Sequence, residues 1–127
     1  MYRSPSVGLF GNKEEKAARR AAAEAEVARL DGLAPAQLAA EVMSAFAAGS
    51  SAGLNELQVG MALVAPVGGS SSDVAALRAA VRSALKALEV AGLLEHIQAR
   101  GGGWMKMTSA GEAAATAGTV AEALAGG

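Results

Sequence analysis

Arg78, Arg82 and Lys86 recur every four residues, a spacing that lines three cations along one stripe of a helix. They lie in the most basic internal stretch: residues 70–108 carry five bases and three acids, whereas 31–69 carry three acids and no base. An anion-binding surface should therefore involve 70–108, even though the whole chain has a net charge of −1. The bland alternative is a solvated helix face in which Lys86 pairs with Glu89. Other chemistry is thinly represented. No cysteine is present, which removes disulfides, thiolate nucleophiles and cysteine-bound metals, and His96 is the sole histidine. One histidine builds neither a catalytic triad nor a multi-histidine metal site, so it reads as a strand residue. Gly68-Gly69-Ser70-Ser71-Ser72 could offer backbone amides to an anion. It lacks the Lys-Ser/Thr of a phosphate-binding loop, however, and Asp73 would repel the ligand. Trp104 suits an anchor to the core better than a stacking platform, and Met43, Met61, Met105 and Met107 suit core filling better than a ligand pocket. No enzymatic activity, cofactor or metal is expected.

The elements that must carry the basic stripe follow from composition and periodicity. The chain of 127 residues is 52% hydrophobic, but 33 of its residues are alanine. Leu, Val, Ile and Phe supply only 26, so the core is small and closely packed helices are favoured over a sheet sandwich. The expected fold class is mainly α with a minor β component, in one domain.

Residues 1–11, with Pro5, Gly8 and Gly11, read as a flexible tail. Asn12 can cap a leader helix over 12–30, in which Glu15 and Arg19, then Arg20 and Glu24, are spaced to pair. The domain proper spans 31–127. Pro35 opens a helix to about residue 48 with Leu38, Val42 and Phe46 on one face, and a third helix occupies about 55–65. Ser72 or Asp73 caps the strongest helix, expected over 72–91, with Val74, Leu77, Val81, Leu85 and Leu88 on its apolar stripe. Leu93 to Ala99 and Trp104 to Met107 read as two strands around Gly101-Gly102-Gly103. Ser109-Ala-Gly-Glu112 matches a capping box before a final helical stretch that Gly118 interrupts.

This order resembles a winged helix-turn-helix domain of the MarR or PadR type. The resemblance is carried by Ala87-Leu-Glu-Val-Ala-Gly-Leu-Leu-Glu95 and Thr108-Ser-Ala-Gly-Glu112, separated by the glycine-rich hairpin, and covers about residues 54–117. It implies a recognition helix at 72–91 in a DNA major groove and a wing at 95–107 on the backbone or minor groove. On the matching positions, Arg78, Arg82 and Lys86 would meet phosphates or bases, Arg100 and Lys106 would be wing contacts, and Ser71 and Ser72 would lie at the start of the reading helix. That helix begins with Ser71, Ser72, Asp73, Ala75, Ala76 and Ala79 and holds no Asn or Gln, so base readout rests on Arg78 and Arg82. The leader Gly8-Leu-Phe-Gly-Asn-Lys-Glu-Glu and the overall plan also resemble uncharacterised actinobacterial proteins, which supplies no function.

The resemblance implies a small DNA-binding protein acting in transcriptional regulation, with double-stranded DNA as partner. The alternative is a winged-helix module that binds protein through its alanine-rich faces. Glu89 and Glu95 are the acids that would neutralise the basic surface in that case. A homodimer is expected, because the alanine-rich core leaves little to stabilise a monomer and the leader helix has no evident partner inside the domain. With no signal-peptide stretch and no apolar run of membrane-spanning length, the expected location is the cytoplasm, without membrane association.

Overall fold

The computed structural model describes residues 4–49, 53–97 and 103–126 and is mainly helical, with one small antiparallel sheet. Helix α1 runs Ser4–Asp31, α2 Pro35–Ala48, α3 Glu56–Val64, α4 Ser71–Ala76 and α5 Arg78–Val90. Strands β1 (Leu94–His96) and β2 (Met105–Met107) follow, then α6 (Ser109–Ala117) and α7 (Val120–Gly126). Among the described residues no helix is long and apolar enough to cross a membrane.

Helix α1 starts at Ser4, so 4–11 are its first turns rather than a flexible tail, and Asn12 lies inside the helix rather than at its cap. Pro5 is tolerated in the first turn, where a missing N–H costs nothing, and the helix runs on through Gly8 and Gly11 despite their cost of about 1 kcal/mol each. Among the side chains described, the helix meets the body over its last third, against α3 and α4. Ala23 and Leu30 are buried, residues 14–22 are exposed, and Arg29 reaches both Glu26 (2.7 Å) and Glu41 of α2 (3.3 Å). The expected pair of Arg20 and Glu24 forms, at 3.5 Å.

The core lies between α2 and α5, with α3, α7 and the strands closing it. Leu38, Val42, Met43 and Phe46 of α2 and Val81, Leu85 and Leu88 of α5 are buried, as their 3.6-residue spacing requires. The long helix expected over 72–91 is two helices. Leu77 breaks it (φ −93°, ψ 0°) while its side chain is fully buried, and its N–H is shared between the carbonyls of Asp73 and Val74. Neither glycine nor proline marks that turn. Ser70, not Ser72 or Asp73, is the cap of α4, with Asp73 accepting from its backbone N–H at 2.8 Å.

The strands pair with Leu94 opposite Met107, Glu95 opposite Lys106 and His96 opposite Met105. A further bridge joins Leu54 to Met105 through two hydrogen bonds of 2.9 Å, tying the segment ahead of α3 to β2. Helix α6 is capped by Thr108, one residue before the expected Ser109. Its Oγ1 accepts from the Gly111 N–H at 3.0 Å and donates to the Gly92 carbonyl at 2.6 Å, so one hydroxyl joins α6 to the end of α5. Gly111 is required there because a Cβ would run into the Leu93 carbonyl and lie 3.2 Å from the Met43 methyl.

Candidate functional site

The Leu54 bridge sets the N-terminus of α3 beside β2, and Asn55 caps that helix by accepting from the Gln58 N–H at 2.9 Å. Glu56 therefore falls in the first turn of α3, where a carboxylate is favoured by the helix dipole, and it faces α5. There it meets two cations of the basic stripe. Arg78 Nε donates to Glu56 Oε2 and Arg82 Nε to Glu56 Oε1, both at 3.0 Å. These hydrogen bonds, that from Arg82 foremost, hold the Glu56 carboxyl below its ordinary pKa despite partial desolvation.

Arg78, Arg82 and Lys86 are brought together on the exposed stripe of α5. Lys86 makes no ion pair among the described residues. Glu89, three residues on, lies 3.1 Å from His96 Nε2 instead of pairing with Lys86 as the bland alternative had it. Helix α5, the start of α3 and the strand pair enclose a recess of about 500 Å3, with Leu57, Leu85 and Met105 among its apolar lining. This surface is concave, and its arginines already hold a carboxylate.

Of the remaining candidates, Ser71 lines a neighbouring recess together with Glu56, Leu57 and Arg78, and the others do not converge on the site. Lys106 alternates with Met105 along β2 and lines a different recess with Phe46, Gly49 and Glu112. It lies 3.9 Å from its cross-strand neighbour Glu95. Ser71 and Ser72 occupy the exposed first turn of α4, beside the Asp73 carboxylate. Arg100 lies outside the described residues, as does the middle of the expected wing. Among the described residues no three His, Asp or Glu side chains come together to hold a metal.

Sequence reasoning missed Glu56. Nothing in the spacing of one acid relates it to arginines 22 and 26 residues away. The available signal was weaker: Arg78 and Arg82 share a helix face and so can share one partner. Met61, expected to fill the core, is instead 55% exposed, and Leu57 one turn before it on α3 is 57% exposed, so neither was anticipated on the surface. No family model, curated protein or solved structure matches the chain.

Proposed function

We propose that the chain is a winged helix-turn-helix module whose α3–α5 face docks another polypeptide. The winged-helix reading is supported by the order of elements: α2, the bridging residue Leu54, α3, the α4–α5 pair, a two-stranded wing, and α6 behind it. The observation that carries the choice of partner is Glu56 between Arg78 and Arg82. With Glu56 on Arg78 and Arg82, only Lys86 of the row is left without a carboxylate among the described residues. That suits a segment carrying an isolated acid better than a duplex that lays phosphates along the whole row, and the Lys106 cation lies on another face beside Glu95. Exposed Leu57 and Met61 give the same face apolar area, which protein partners use and phosphate backbones do not. The long exposed part of α1 supports the expected homodimer, and light scattering that finds only monomer at high concentration would exclude it.

A second reading, a small DNA-binding winged-helix protein acting as a transcriptional regulator, is favoured by one observation: Arg78, Arg82 and Lys86 form an exposed row on the helix in the recognition position. Their pairs with Glu56 are open to water and weak, on the order of 1 kcal/mol or less. Titrating random duplex at low and moderate salt, with wild type beside Arg78→Ala/Arg82→Ala, separates the two. The DNA reading requires log affinity to fall with log salt at a slope of roughly −3, flattened by nearly 2 in the double variant. The docking reading expects no duplex binding at low salt, or binding that the double substitution leaves unchanged.

A further inference from the structure

The recess beside the strands continues into a second one. The second, about 280 Å3, has Gly60 and Val74 among its lining. Glu56, Leu57 and Arg78 line both, so the two make one groove along the α3–α5 seam. Helix α3 approaches α4 closely at its apolar end: a Cβ on Gly60 would stand 2.7 Å from Val74 Cγ1.

The groove is chemically two-sided. Leu57 gives it an apolar wall, extended into solvent by Met61 one turn along. The opposite wall is the row Arg78, Arg82 and Lys86, about 6 Å apart from one to the next at 1.5 Å per helical residue. Those three cations face two carboxylates, Glu56 and Glu89, leaving a formal charge of +1. Lys86 is the cation that no carboxylate of the described residues occupies. Glu56 itself demonstrates the ligand chemistry, since each of its oxygens takes an Arg Nε at 3.0 Å.

We propose that this groove receives a linear, acidic segment of a partner polypeptide, with an apolar side chain on Leu57 at the Gly60–Val74 end and a carboxylate at Lys86. The proposal rests on the docking reading above and names the partner's chemistry. Glu56 acts in it as a resident competitor: while it holds Arg78 and Arg82, an incoming acid has only Lys86 to itself. Removing the Glu56 charge therefore strengthens binding, an effect that a purely structural role for Glu56 would not produce.

The test is selection of a displayed library of random peptides of about twelve residues, roughly 40 Å when extended, on the full chain. Selected peptides are then synthesised and their affinities measured by fluorescence anisotropy. The expected peptides combine Asp or Glu with Leu, Ile or Phe. Their affinity rises roughly three- to tenfold for Glu56→Gln and falls by a similar factor for Lys86→Glu and for Leu57→Glu, with unchanged circular dichroism in all three. Neutral or basic selected peptides, no enrichment at all, or affinity indifferent to Glu56→Gln would overturn it. Random duplex is titrated in parallel. Failure with peptides and no duplex binding removes the acidic groove and leaves the docking reading standing; failure with steep, arginine-dependent duplex binding removes both.

Discussion

Helix α5 takes part in two seams whose chemistry is opposite. Toward α2 it contributes Val81, Leu85 and Leu88 to a buried cluster with Leu38, Val42 and Met43, and among the described residues no polar or charged side chain is buried. Toward the solvent side of α3 it presents Arg78 and Arg82 to the Glu56 carboxylate, with Lys86 one turn beyond them, in an open groove. Thirteen residues thus serve two purposes, because the apolar stripe and the basic stripe are displaced around the axis by the 3.6-residue period. The buried seam carries stability. The open one is nearly silent energetically and is therefore available for a partner.

Substitutions should separate the seams by size of effect. Leu88, fully buried, leaves a cavity when truncated, so Leu88→Ala is expected to lose about 2–5 kcal/mol in urea denaturation with an unchanged slope. Gly111→Ala drives a Cβ against the Leu93 backbone, and the expected loss is about 1–3 kcal/mol, read as a lowered denaturation midpoint. Thr108→Ala removes the cap of α6 and the tie to the end of α5. It should cost about 1–2 kcal/mol, with faster amide exchange at Gly111 as its local signature. A Leu88 variant as stable as wild type would break the division between the seams.

Glu56→Gln is the smallest effect, on the order of 1 kcal/mol or less at neutral pH. Its pH dependence has a definite sign. The folded carboxyl is held below its ordinary range, so its contribution is fully present above about pH 4–5 and is lost as pH falls through the lowered folded value. Wild type should therefore lose slightly more stability than Glu56→Gln on acidification through that window, measured by thermal melts in matched buffers. Equal losses would mean that the arginine clamp does not persist in solution.

Much of this arrangement is legible along the chain. Leu38, Val42 and Phe46, like Val81, Leu85 and Leu88, announce their helices by period alone, and the glycines at 101–103 mark the connection between the strands. Caps were harder to place, at Ser70 and Thr108 rather than one to three residues later, because several neighbouring capping side chains compete and sequence alone does not choose among them. Met61 was also expected to fill the core, although α3 buries Val59, Leu63 and Val64 and leaves Met61 exposed. A short helix with apolar residues on most sides has no single stripe for the pattern to identify.

The sequence by itself determined the helical class, the helices of the core and the basic stripe, since each follows from residue type and spacing within a few turns. Tertiary structure alone decided that Glu56 holds Arg78 and Arg82, that Glu89 goes to His96, and that Lys106 faces away from them. The reason is range. Helical period is set by backbone geometry that every window of residues carries, whereas an ion pair across more than twenty residues depends on where the bridge at Leu54 and the turn at Leu77 place α3 and α5.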